Sequence, residues 1–229
     1  MNKHNNSLRL YLSPAYFIDS DHPIIVQKAH EVVKDINGPI DQAIALNDFV
    51  RDSIRYNPYN INLDHHEMKA STVLTRPSGE AYCIEKACLL AAMARAVAIP
   101  ARLGFSNVRN HIGTEKLEMH LKTDVMVFHG YTELYLNGKW VKATPAFNKG
   151  LCDYLGVDVL EFDGKNDSIF QEYDKEGSRY MEYLKDFGTF HDVPHDLFVK
   201  ELKEHYPHFF GKVDLNGDNI IEQMENLEK

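Results

Sequence analysis

Apolar residues recur at helical spacing in the first part of the chain and alternate in the middle part. In "HPIIVQKAHEVVKDI", residues 22 to 36, the spacing predicts a helix that Pro23 opens and Gly38 follows. In "PIDQAIALNDFVRDSIRY", residues 39 to 56, Ile40, Ala43, Leu46, Phe49, Val50 and Ile54 form one stripe. Asn57-Pro58 forbids its continuation. Residues 59 to 80 are of mixed polarity and read as a loop with a short helix near 70 to 75. The stretch from about 82 to 98 is apolar nearly all round, the mark of a central helix covered on several sides, and Ile99-Pro100 ends it.

Beyond Pro100 the period changes. "ARLGFSNV" reads as a strand, and "DVMVFHGYTELYL", Asn137-Gly138, "KWVKATPAF" reads as a hairpin. Asn-Gly supplies the two left-handed residues that a type I′ turn requires. After residue 150 the pattern mixes short strands and turns such as "EFDG" with a helix at 195 to 206. Helices first and sheet afterwards predict an α+β fold in which a central helix packs on an antiparallel sheet. No repeat, low-complexity tract or linker divides the sequence, so residues 1–229 read as a single domain.

Composition narrows the function. The 229 residues carry a formal charge of -9, which argues against a nucleic-acid partner, since phosphate neutralisation needs a basic face. No apolar run is long enough to span a bilayer, and no signal peptide is read at the N-terminus. Three cysteines do not make a disulfide framework, so a reducing, cytoplasmic setting is expected.

One of the three stands at a chemically loaded position. Cys83 falls at the first turn of the apolar helix, after Gly-Glu-Ala-Tyr. Unpaired N–H groups and the partial positive charge of a helix N-terminus stabilise a thiolate, the reactive form of the side chain. The alternative reading is a small buried hydrophobe that happens to start a helix. Cys88 reads as core, and Cys152 has no evident partner. A thiol needs a base, and the hairpin register offers one. Counting back from Asn137-Gly138 pairs Tyr135 with Trp140, Glu133 with Lys142 and Tyr131 with Thr144. Alternation then puts His129 on one face with Tyr131, Glu133 and Tyr135, with Thr144 as a diagonal neighbour.

Taken together, "GEAYCIEKACLLAAMARAVAIPARLGF" and "HGYTELYLNGKWVKATP" resemble the core of the transglutaminase-like superfamily. That family shows a Gly-x-Cys helix entry, an Arg-Ala-x-Gly-Ile-Pro-Ala-Arg-like exit, then His-Ala-x-x-Glu-Val-Tyr, a turn and Trp-x-x-x-Asp-Pro. The resemblance covers about residues 40 to 148, leaving 149 to 229 as a C-terminal elaboration. It implies a papain-like α+β fold, a small bacterial-type member, Cys83 as nucleophile, His129 as general base and no cofactor. The implied substrate is a peptide or protein amide, and Tyr82, next to the nucleophile, is a candidate lining of the acyl site. The chain departs from the pattern at Thr144, where the family commonly has Asp. A hydroxyl can accept the imidazole N–H but brings no charge to stabilise its cation. Asp163 or Asn148 could fill that role, and a non-enzymatic peptide-binding module on the same fold is the rival expectation.

Two other patterns suggest metal sites. Asp214, Asn216, Asp218 and Glu225 stand at the first, third, fifth and twelfth positions of a calcium loop, but Asn219 replaces the expected glycine. A polar tail is the plainer reading. The scattered histidines lack the spacing of a zinc site, so no metal is expected.

Overall fold

The computed structural model describes residues 8–111, 115–169 and 181–210. Helix α1 spans Pro23–Val32, with Pro23 in its first turn. Helix α2, Pro39–Ser53, is entered through Gly38 at φ 87°. The helical stripe does not run on to residue 56 as the periodicity predicts. Arg55–Tyr56 is instead strand β1, pairing in parallel with β2, Glu80–Ala81. Between them Ala70–Thr75 forms the short helix α3.

This two-strand ladder delivers the chain to helix α4, Cys83–Ala96. Every residue of α4 from Cys83 to Arg95 is buried, as its all-round apolar sequence requires. The remaining elements form the antiparallel sheet and its cover. They are β3 (Ala101–Asn110), α5 (Glu115–Leu121), β4 (Val125–Leu136), β5 (Lys139–Ala143), α6 (Lys149–Leu155), β6 (Met181–Phe190) and α7 (His195–His205). The sheet order is β5-β4-β3-β6, and α4 lies across it, Thr132 Oγ1 donating to the Ala87 carbonyl at 2.9 Å. This is the α+β arrangement that the sequence predicts.

The hairpin register is the one counted from Asn137-Gly138, with Tyr135 opposite Trp140 and Glu133 opposite Lys142. Both turn residues have positive φ, 49° and 84°. Strand β5 stops at Ala143, two residues before Pro145, rather than running to Phe147. Helices α5 and α6 and the ten-residue strand β6 are absent from the sequence reading; β6 is an edge strand with one mostly exposed face, so its apolar signal is weak.

A β-bulge interrupts the β3–β4 ladder between Ser106 and Val108. Opposite it, Phe128 adopts φ 59° and donates its N–H to Asn107 Oδ1 at 2.9 Å. Bulges re-aim side chains, and the residue after this one is His129. At the far end of the chain, Tyr206 accepts from the Val127 N–H at 2.8 Å and donates to the Val125 carbonyl at 2.6 Å. The end of α7 is thereby fastened over the start of β4. The calcium-loop pattern at 214 to 225 lies outside the described residues.

Candidate active site

Helix α4 begins at Cys83 because Glu85 caps it. The Glu85 carboxylate accepts the Tyr82 N–H at 2.7 Å and is held in turn by Arg76 at 2.7 Å. This fixes the first turn directly against β4. A Cβ placed on Gly130 would lie 3.0 Å from Ile84 Cα, so only glycine permits the approach without displacement. The residues on either side of that contact are Cys83 and His129. Two segments more than forty residues apart thus bring the thiol-bearing turn and the imidazole-bearing strand together.

The sulfur lies among donors. The Gly130 and Ile84 N–H groups and the Tyr82 hydroxyl face it and favour its anion. Burial opposes them and is the larger effect. Cys83 is 1% exposed, and its thiol is pushed up to about 12. A thiol lowered by the helix terminus was the expectation from sequence. The structure overturns it for this closed form, because desolvation outweighs three favourable donors.

His129 is 4% exposed, and burial lowers its imidazole to about 4. It lines a small cavity with Thr144, Ala146 and Phe147, with room for little more than a water molecule. His129 and Thr144 therefore share one cavity, as the hairpin register implies. Neither His129 Nδ1 nor Thr144 Oγ1 has a hydrogen-bond partner among the described residues. The bond between them that a working triad needs is not made in this form.

The two proposed substitutes for the missing aspartate are engaged elsewhere. Asp163 is exposed and accepts from the Lys165 and Asn166 N–H groups, which hold it at about 2. Asn148 is the N-cap residue of α6, and its Oδ1 accepts the Tyr56 N–H at 3.1 Å. Tyr82 is buried, its ring stacked with Tyr56 at a centroid distance of 6.2 Å. Cys88 and Cys152 are buried, and none of the three cysteines is in a disulfide. Among the described residues no group of three His, Cys, Asp or Glu side chains could hold a metal ion, and no helix is long and apolar enough to cross a membrane.

Sequence reasoning missed the charges buried along helix α4. Lys86 is 0% exposed, and its ammonium donates to the carbonyls of Arg51, Ile54 and Ala146 at 2.9, 2.5 and 2.8 Å. Arg95, in the last turn, donates to the carbonyls of Ser13, Ala101 and His191. The only signal was their presence in a helix otherwise apolar on every side.

Comparison with known proteins gives the following. Curated proteins give no match. Three solved structures are similar at low identity. A "putative cysteine protease" from Cytophaga hutchinsonii is 16% identical with a TM-score of 0.49, covering 83% of this chain and 55% of its own. A "putative protease" from Parabacteroides distasonis is 17% identical with a TM-score of 0.38, covering 60% and 25%. The arylamine N-acetyltransferase from Mycobacterium abscessus is 14% identical with a TM-score of 0.39, covering 59% and 46%. The chain spans about half the length of the first of these, and less of the other two. The family model described as "Transglutaminase-like superfamily" matches residues 26–145, from α1 through the sheet residues to Thr144 and Pro145. With more than half its length matched, and with a cysteine-headed helix set against a histidine-bearing strand, the chain belongs to the transglutaminase-like superfamily.

Proposed function

We propose that the protein is a cysteine-dependent enzyme acting at amide bonds of a peptide or protein, in a reducing compartment such as the cytoplasm. Cys83 is the nucleophile and His129 the general base. The imidazole takes the thiol proton as sulfur bonds to the acyl carbon. The C–N bond then breaks, the leaving amine receives that proton, and a thioester remains. Water resolves the thioester by hydrolysis, or an amine by transamidation, with the imidazole again accepting a proton. Thr144 orients the ring through its hydroxyl, and Tyr82 borders the acyl group.

The observation that carries this reading is the seat of Ile84 on Gly130, which sets the thiol beside the strand residue following the imidazole. The test is alkylation by iodoacetamide followed by mass spectrometry. Burial pushes the Cys83 thiol up to about 12, so at pH 7 the neutral thiol is the dominant form. All three cysteines are buried, so exposure alone does not favour Cys83. The proposal expects Cys83 to react at least tenfold faster than Cys88 or Cys152, and Cys83→Ala to abolish amidase activity. Equal labelling of the three, with activity retained in Cys83→Ala, sinks it.

A second reading, a catalytically silent peptide-binding module, draws on Thr144 and on the unmade His129–Thr144 bond. It predicts simple thiol titration with no second, histidine-dependent limb.

A further inference from the structure

Lys86 lies one helical turn below Cys83, on the same helix α4, and no part of it reaches solvent. A buried ammonium is unfavourable unless each of its three N–H bonds finds an acceptor. Here each does, and the acceptors are main-chain carbonyls rather than carboxylates. Two, Arg51 and Ile54, close the C-terminal end of α2. The third is Ala146, two residues beyond Thr144. Ala146 also lines the cavity that holds His129 and Thr144. One cation therefore ties the nucleophile helix to the segment carrying the proposed third residue.

Its surroundings bear the same arrangement out. Asp52, in the last turn of α2, accepts the Lys149 N–H at 3.0 Å, and Asn148 Oδ1 accepts the Tyr56 N–H, so the segment after β5 is held from α2 and β1 as well. These outer contacts bracket Asn148 and Lys149. Lys86 alone among them is on α4. The charged and titratable groups that act on it are Asp52 and Arg51 from α2, Cys152 from α6 and Cys83 from its own helix.

The geometry points to Lys86 as a positioning residue, whose ammonium sets the Thr144–Ala146 segment, and through it the environment of the imidazole, relative to the nucleophile. This rests on the reading of Cys83 and His129 given above. It does not touch the reacting atoms. A neutral amine keeps only two N–H donors, so deprotonation or replacement releases at least one of the three carbonyls.

The experiment compares wild type, Lys86→Met and Lys86→Gln by the pH dependence of Cys83 alkylation, with circular dichroism confirming the fold at each pH. A wild-type Cys83 that reacts no faster than Cys88 and Cys152 would overturn the underlying catalytic reading and this inference with it. Given a reactive wild-type thiol, both variants should lose at least tenfold in rate at pH 7 and show a displaced histidine limb. A folded variant with an unchanged profile, however much its melting temperature falls, shows that Lys86 is only structural and overturns the inference alone. Should neither variant fold, nuclear magnetic resonance of the wild-type protein decides. The lysine Nζ titration should appear as an inflection at the same pH in the His129 ring shifts, and a flat ring response refutes positioning.

Discussion

Replacing Gly130 by alanine adds one methyl group at the junction on which the candidate site depends. That carbon would stand 3.0 Å from Ile84 Cα, 3.3 Å from Ile84 Cγ1 and 3.4 Å from Ile84 N. Carbon atoms pack best at about 3.5–4.0 Å, so the deficit at Cα is roughly half an ångström or more. Two of the three obstructing atoms are main chain in the first turn of α4, and no side-chain rotation removes them. The strand or the helix must shift instead, and α4 is buried on all sides. Overpacking of this kind costs about 1–3 kcal/mol. At roughly 2–4 °C per kcal/mol for a chain of this size, melting should fall by about 2–12 °C. Differential scanning calorimetry on Gly130→Ala measures it, with Gly150→Ala as a comparison at a position where a Cβ meets only Asn148 Nδ2 at an ordinary 3.6 Å. A melting temperature within 1 °C of wild type would show that the junction yields freely, and the close seat of the thiol would lose its structural basis.

Two further substitutions probe the electrostatics. Burial holds His129 at about 4 against 6.5 when exposed, so between these values the unfolded chain binds the proton and the folded one does not. Its stabilising contribution is complete above about pH 6.5 and is lost as pH falls towards 4, about 3 kcal/mol in all; urea unfolding of His129→Gln should lack that share of the acid-side decline, and an unchanged slope would refute a desolvated imidazole. Glu85→Ala removes the cap of α4 and strands Arg76, whose side chain is 10% exposed. Breaking a buried pair costs about 3–5 kcal/mol, and a loss below 1 kcal/mol by urea unfolding would show that Arg76 and the Tyr82 N–H find other partners.

What the sequence discloses here is whatever depends on local chemistry. Asn137-Gly138 fixes the type of turn, the turn fixes the register, and the register puts Thr144 within the imidazole's neighbourhood. Cys83 starts α4 because an apolar run begins there. Lys86, Glu85 and Arg95 stay hidden for the opposite reason. Lys86 and Arg95 donate to the carbonyls of Arg51, Ile54 and Ala146 and of Ser13 and His191, and Glu85 accepts from Arg76, all brought in by tertiary packing. A charged residue in a helical pattern reads as solvent-facing until those partners are in place. Edge strand β6 is hidden because its outer face is exposed and shows no sustained alternation. The raised thiol is hidden too, since desolvation is a property of the assembled site and the helix terminus is a property of the segment.

The same desolvation accounts for how a histidine without a carboxylate partner could still activate sulfur. In the closed form burial is the largest effect on both groups, raising the thiol and lowering the imidazole, so proton transfer from one to the other is uphill from both ends. Admitting water relieves both shifts together, whereas an aspartate at position 144 would act on the imidazole alone. The donors that face the sulfur, the Gly130 and Ile84 N–H groups and the Tyr82 hydroxyl, remain when the desolvation is relieved and then dominate. Under the proposed chemistry, ionisation of the thiol follows from the entry of water rather than from a standing charge. Threonine suits such a site, because a buried aspartate facing a neutral imidazole in the closed form would itself lack a counter-charge.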